Sequence, residues 1–80
     1  MDSASTEENI QEVRNAARDI RRQLEAAARR LKTVEHNADF KFAVMPAAAE
    51  AGGYINAALA RRQRLADAIN ALHGEGGPTP

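Results

Sequence analysis

Five side chains in this 80-residue sequence have the chemical types needed to hold a small ligand with phosphates and flat rings. Tyr54 supplies a surface for stacking, Asn56 an amide for hydrogen bonds to ring edges, and Arg61 a guanidinium for a phosphate. Arg14 and Arg18, on an arginine-bearing helix in the N-terminal half, would add positive charge. We therefore predict a ligand-binding set formed by Tyr54, Asn56, Arg61, Arg14 and Arg18.

Structural alternatives exist for each of these residues. Tyr54 is equally well interpreted as a core aromatic, and Asn56 as a buried amide that fixes the register of packed helices. The arginines are also typical of a solvated helix face with partners four residues away. A third use of the arginines is an RNA-binding surface, formed by Arg21, Arg22, Arg29 and Arg30. The formal net charge of zero disfavours that use and a general DNA-binding function.

Groups for catalysis and metal binding are missing from the sequence. The chain has no cysteine, and its two histidines, His36 and His73, are far apart. The sequence contains no HExxH, EF-hand, GxGxxG or Walker A motif, and no serine or cysteine with a nearby histidine base. We predict that the protein is not an enzyme and that it needs neither a cofactor nor a metal.

The N-terminal half predicts one long amphipathic helix from about Thr6 to about Glu35, with Ser5 as its N-cap and Glu8 completing a capping box. Its apolar residues alternate in steps of three and four, which is a heptad stripe and indicates packing against a partner helix. The predicted stripe consists of Ile10, Val13, Ala17, Ile20, Leu24, Ala27, Leu31 and Val34.

A break and a second helix are predicted to follow. Asn37 is placed as a left-handed C-terminal cap and Asp39 as the next N-cap. The bulky apolar segment 40–45 is expected to fill a core or a subunit interface. Pro46 either starts the second helix or kinks one that begins near Asp39. That helix is expected to continue to about Leu72.

Two glycines, Gly52 and Gly53, lie inside the predicted second helix. Each costs roughly 1 kcal/mol relative to alanine in a helix interior. Their presence indicates either a close approach of another backbone or a hinge. The apolar positions of this helix are less regular than those of the first, and they are Ile55, Ala58, Leu59, Leu65, Ile69 and Leu72.

These elements predict an all-α fold of two long antiparallel helices, a helical hairpin with a short aromatic element at the bend. Residues 1–5 are expected to be a flexible N-terminus, 6–73 the hairpin domain and 74–80 a disordered tail. So small a chain without disulfides rarely forms a sufficient core alone, so we expect a homo-oligomer. No apolar run reaches the roughly 20 residues of a membrane span, and no signal peptide is evident, so we expect a cytoplasmic protein.

The segment from Phe42 to Arg61 resembles the hairpin motif of phage anti-CBASS and anti-Thoeris proteins. The shared pattern is E-A, two residues, an aromatic, one residue, and N-A-A-aliphatic-A-R, and it runs here from Glu50 to Arg61. The chain departs from the family at Tyr54, where tryptophan is usual, at Gly52 and Gly53, where bulkier residues are usual, and at Pro46, where a hydroxyl residue is usual.

The resemblance implies a helical, homo-oligomeric sponge, with six subunits as one candidate number. Such a protein binds and sequesters cyclic di- or trinucleotides or cyclic ADP-ribose species without cleaving them, as a phage immune-evasion protein in the bacterial host cell. The alternative from the sequence is a small helical protein-interaction module, or a regulator, that binds a host protein through the heptad stripe of its first helix.

Overall fold

The computed structural model describes residues 3–76 and consists of three α-helices. They are α1 (Ser3–His36), α2 (Lys41–Ala60) and α3 (Arg62–Gly76). Since only Arg61 separates α2 from α3, these two helices form a single bent arm. The described residues include no strand. The prediction of an all-α fold is therefore confirmed for the described residues. Residues 3–5 and 74–76, which were predicted to be a flexible N-terminus and a disordered tail, are helical, while residues 1–2 and 77–80 lie outside the described range.

Both ends of α1 differ from the predicted ends. The helix begins at Ser3, so Ser5 lies inside it and is not its N-cap. At the other end, no described residue other than glycine has a positive φ, so Asn37 is not a left-handed cap. Its side-chain Nδ2 instead donates to the backbone oxygen of Thr33 at 3.0 Å. The backbone N–H of Asn37 donates to the same oxygen at 3.0 Å, so the side-chain amide adds a second hydrogen bond to the Thr33 carbonyl at the helix end.

Pro46 lies inside α2, which begins five residues earlier at Lys41. The N-cap position belongs to Phe40, which provides no side-chain cap, so Asp39 does not cap this helix. Proline lacks the N–H that would bond to the carbonyl of Phe42 in a regular helix. Of the two placements left open by the sequence, the structure has the one in which the helix starts before the proline.

The bent arm changes direction at Arg61, where the side chain and the backbone N–H bond to the same carbonyl oxygen. The guanidinium Nη1 donates to the backbone oxygen of Ala57 at 2.9 Å. The backbone N–H of Arg61 lies 3.3 Å from that oxygen and 3.1 Å from the oxygen of Ala58. The backbone N–H of Arg61 is thus shared between the carbonyls four and three residues earlier, and this mixed hydrogen bonding interrupts the regular α-helix. The break is not at Gly52 and Gly53, which stay helical.

The contact between α1 and the bent arm is made mainly by small side chains. Every buried apolar residue in the described range is an alanine, and no large side chain there is fully buried. Alanines let two helix backbones approach closely, but each removes little apolar surface from water. The buried alanines are Ala16, Ala27, Ala47, Ala51, Ala58 and Ala68.

Only half of the predicted heptad stripe of α1 faces the bent arm. Val13, Ile20, Ala27 and Val34 are buried or half-buried, and the other four positions are exposed. The arm has its own stripe of covered residues, which alternates in steps of three and four through α2 and α3 and includes polar positions. It consists of Val44, Ala47, Ala51, Tyr54, Ala58, Arg61, Leu65, Ala68 and Leu72.

Within the described range, four ion pairs join α1 to the bent arm, and two of them share Arg64. Arg30 lies against Glu50 at 2.7 Å, and Arg61 against Asp19 at 2.7 Å. From the first pair to the second, α1 runs back by eleven residues, from Arg30 to Asp19. Over the same distance the arm runs forward by eleven residues, from Glu50 to Arg61. Arg64 continues this order by pairing with Glu12, at 2.8 Å.

The resulting molecule is elongated and thin. Its radius of gyration is 18.0 Å and its extents are 58 × 22 × 13 Å. A compact domain of this length would have a radius of gyration of about 12 Å. The two rings near the turn, Phe40 and Phe42, meet edge to face at 6.3 Å, but both are exposed. They therefore do not fill a core of this chain, and the subunit-interface alternative stays a prediction.

Candidate functional site

Arg14 and Arg18 are placed together on the outer side of α1. Each is two residues from buried Ala16, which corresponds to about 200° around a helix, so both point away from the bent arm. Both are exposed, and neither makes an ion pair or hydrogen bond to any residue in the described range. One turn apart, their β-carbons are about 6 Å from each other. Two free guanidinium groups at this spacing can bind one phosphate.

Tyr54 lies on the covered stripe of α2 and is half-buried. The ion pairs of Glu50 and Arg61 lie on either side of it along the arm. In the register that these two ion pairs define, Tyr54 lies opposite Ala26 of α1. The ring therefore lies beside a small-residue segment of α1, where it contributes to packing. No residue within 3–76 forms a hydrogen bond with its hydroxyl.

Asn56 is exposed, so it is not a buried amide that sets helix register in this chain. It follows Tyr54 by two residues, which places the two side chains about 200° apart around α2. Its amide has no partner among the residues described. Asn56 is thus free to bind a ligand, but it cannot do so in one pocket with Tyr54 of the same chain.

Arg61 is already engaged within the chain. Its Nε donates to Oδ2 of Asp19 at 2.7 Å, and its Nη1 donates to the backbone oxygen of Ala57. Both partners of the ion pair are about two-thirds covered, with side-chain exposures of 37% and 31%. The structure therefore gives Arg61 a positioning role, since it fixes α2 against α1 and bends the arm.

The five predicted residues do not form one pocket in a single chain. Arg14 and Arg18 share the outer side of α1, Asn56 is on the outside of α2, and Tyr54 and Arg61 are between the helices. Any site that uses all of them requires more than one copy.

Sequence reasoning missed a shallow groove between α1 and α2, with a volume of about 170 Å³. Its walls are almost entirely apolar side chains, although it is open to solvent. The signal was present in the sequence, because Leu24 belongs to the heptad stripe and Ile55 and Leu59 are one turn apart. The lining residues are Ile20, Leu24, Ile55, Ala58, Leu59 and Arg62.

Among the described residues, the ion pair between Glu12 and Arg64 is the one that shifts pKa values. Arg64 donates from Nε and Nη2 to the two carboxylate oxygens of Glu12, at 2.8 and 3.1 Å. These hydrogen bonds lower the pKa of Glu12 and raise the pKa of Arg64, and the attraction between the charges acts in the same direction. Asp19 adds a weaker attraction to Arg64 from 3.7 Å.

Within residues 3–76, no group of three or more histidine, cysteine, aspartate or glutamate side chains is arranged to hold a metal ion. None of the described helices is both long and apolar enough to cross a membrane. No protein-family model matches the chain, and neither does a curated protein or a solved structure.

Proposed function

We propose that this chain is a helical hairpin that assembles as a homo-oligomer and sequesters cyclic nucleotide messengers without cleaving them. The ligands would be cyclic di- or trinucleotides or cyclic ADP-ribose species, and the biological role would be phage-type immune evasion in the bacterial cytoplasm. The reversed order of the ion pairs between α1 and the bent arm supports an antiparallel hairpin. The resemblance from Glu50 to Arg61 supports the ligand class.

The observation that carries the proposal is the pair of free guanidinium groups of Arg14 and Arg18 on the outer side of α1. A phosphate can accept hydrogen bonds from both at once, and charge-assisted bonds of this kind are stronger than neutral ones. Asn56 on another copy would contact a base edge, since its amide both donates and accepts. Burial between copies would exclude water and strengthen each of these contacts.

Sequestration requires tight binding and no chemical step. Tyr54 would offer the exposed part of its ring to a base, while Arg61 would hold α2 in place through Asp19. In this scheme Arg14, Arg18, Asn56 and the exposed part of the Tyr54 ring contact the ligand directly. Arg61, assigned to phosphate binding from the sequence alone, acts instead by positioning.

Calorimetry with a panel of cyclic di- and trinucleotides and cyclic ADP-ribose isomers tests the proposal. The wild-type chain should bind at least one of them, and an Arg14→Ala/Arg18→Ala double variant should lose most of that affinity. A matched control is Arg22→Ala/Arg29→Ala, which removes two other exposed arginines of α1. The proposal is wrong if micromolar wild-type protein binds none of the panel, or if both double variants weaken binding equally.

A second candidate function is a protein-interaction module that binds a host protein. The specific observation in its favour is the exposure of apolar residues along α1, where Leu24 and Leu31 are each 48% exposed. A pull-down from bacterial lysate, with an Ile20→Asp/Leu24→Asp variant as control, separates the two functions. Recovery of the chain alone would exclude this second function.

A further inference from the structure

The described part of the chain leaves its large apolar side chains uncovered. The buried core consists of alanines, and nine large apolar residues are at least 36% exposed. Burying one such side chain fully is worth about 1.5–3 kcal/mol. A chain with this distribution has more to gain from association than from its own core.

Part of this exposed surface is a regular line along α1. Ile10, Ala17, Leu24 and Leu31 follow one another at every seventh residue and are all exposed. Positions seven apart drift by only about 20° around a helix, so the four side chains lie on one side of α1. Ile55 and Leu59 of α2 continue the surface across the shallow groove. We call these six residues the apolar face.

We propose that the apolar face packs against the apolar face of a second copy, with the two α1 helices antiparallel and a two-fold axis at Leu24. The inference uses the homo-oligomer of the proposed function but does not depend on the ligand. A line of apolar residues repeated every seven positions fits another helix better than an irregular partner.

The spacing of large and small residues supports the antiparallel register. With Leu24 opposite Leu24 of the second copy, Ala17 comes opposite Leu31 and Leu31 opposite Ala17. A large side chain then meets a small one on each side of the axis, as close packing requires. Ile10 comes opposite the turn that carries Phe40, whose exposed ring is 58% accessible. Ile10 and Leu31, the two ends of the line, would thus both be covered by the second copy.

The charges beside the line favour the same orientation. The next positions around α1, again seven apart, are Arg14, Arg21, Ala28 and Glu35. In the antiparallel register Arg14 comes within one residue of Glu35 of the second copy, and Arg21 comes within one residue of Ala28. A parallel pair would instead set Arg14 against Arg14, Arg21 against Arg21 and Glu35 against Glu35, which is repulsive.

This arrangement also places Arg14 at the boundary between copies, beside Glu35 of the second copy, so a ligand phosphate would compete with that carboxylate for the Arg14 guanidinium. Glu35 lines a second surface depression with Ala28, Leu31 and Lys32, directly beside the apolar face. The Arg14 side chain of the second copy would enter that depression. The dimer would then be the building unit of any larger assembly, since a two-fold interface closes on itself.

Cysteine cross-linking tests the register directly, because the natural chain contains no cysteine. Leu24→Cys should form a disulfide-linked dimer in air, since an axial residue faces its own copy. Asn15→Cys is the matched control, because it lies nine residues away, which is about 180° around α1, and is also exposed. The proposal is overturned if Leu24→Cys stays reduced or if Asn15→Cys cross-links equally well.

A mixture of Ala17→Cys and Leu31→Cys chains decides the orientation. An antiparallel pair should give mostly mixed disulfides between the two variants, which differ in mass. A parallel pair should give only Ala17–Ala17 and Leu31–Leu31 products, and that result would refute the register.

Sedimentation without any ligand completes the test. Leu24→Asp should weaken dimerisation by about tenfold or more, because it removes two apolar side chains and adds two like charges at the axis. Asn15→Asp, with the same charge change on the opposite side, should leave it unchanged. Circular dichroism checks that both variants are helical. Failure here with intact calorimetric binding would reject the apolar-face dimer and leave the proposed function standing.

Discussion

The contact between Arg61 and Asp19 should be the most stabilising of the polar contacts between the helices. Replacing Arg61 by methionine keeps the length of the side chain but removes the donors to Asp19, at 2.7 Å, and to the Ala57 backbone oxygen, at 2.9 Å. Hydrogen bonds to charged groups contribute about 1.5–3 kcal/mol when they are well covered.

Two features reduce that figure. The two side chains are about a third exposed, so solvent screens part of the attraction. Asp19 also has a substitute partner, because Arg64 Nη1 lies 3.7 Å away. We therefore expect Arg61→Met to lower the free energy of unfolding by about 1–2 kcal/mol.

Thermal unfolding at one fixed protein concentration measures the effect, because oligomerisation makes the midpoint depend on concentration. For a chain of this size, each 1 kcal/mol corresponds to a fall in Tm of about 4–8 °C. Arg21→Met is the matched control, since its i,i+4 pair with Glu25 spans 3.4 Å with both side chains more than half exposed. That variant should change the free energy by less than about 0.5 kcal/mol.

A double-mutant cycle with Asp19→Asn isolates the pair itself. The double variant should be less destabilised than the sum of the two single variants, because the interaction can be lost only once. If Arg61→Met and Arg21→Met have equal effects, or if the cycle is additive, the positioning role assigned to Arg61 is wrong.

Three further predictions follow from single residues. Gly53→Ala should raise the unfolding free energy by about 0.5–1 kcal/mol, because Gly53 is helical and a β-carbon there meets nothing within 4 Å in one chain; a loss measured by urea unfolding would instead show that the position is packed in the assembly. The hydrogen bonds from Arg64 lower the folded-state pKa of Glu12, so that pair should stabilise the fold at neutral pH and lose its effect as the pH falls below about 4. In acid titrations of unfolding, Glu12→Gln should flatten this part of the stability profile. An unchanged profile would contradict the assigned role of the pair. Tyr54→Ala should lower Tm through lost packing while Tyr54→Phe should not, since no hydrogen bond in the described range uses the hydroxyl; weaker ligand binding by Tyr54→Phe at unchanged Tm would show that the hydroxyl contacts the ligand.

Local patterns predicted the first helix well, whereas the second was predicted as one helix to about Leu72 and is instead broken at Arg61 and continues to Gly76. The heptad spacing of α1 and the break after it placed the first helix to within three residues at its start and one at its end. Long periodic segments give this kind of agreement because backbone hydrogen bonding and the apolar period act together. The capping predictions were wrong at Ser5, Asn37 and Asp39, since several nearby side chains can satisfy a helix end and the sequence does not rank them.

Long-range features could not be predicted from the sequence. The bend lies at Arg61, whose guanidinium also binds Asp19, 42 residues away in the chain. The heptad stripe indicated a partner helix but not that the bent arm would cover only half of the stripe. The arm is held by alanines at close approach, which leaves the flanking Leu24 and Leu31 free. Likewise, Tyr54 and Asn56 were predicted together from their residue types. They are two residues apart in α2, which places their side chains on different sides of the helix.

Native mass spectrometry of the protein, expressed in a host that produces cyclic nucleotides, tests the central claim most directly. It reports the number of subunits and any bound small molecule in one spectrum. We predict a homo-oligomer that carries the additional mass of a cyclic nucleotide or cyclic ADP-ribose species, and loss of that mass in the Arg14→Ala/Arg18→Ala variant. A monomer, or an oligomer with no bound small molecule from a host in which the messenger is present, would contradict the proposed function.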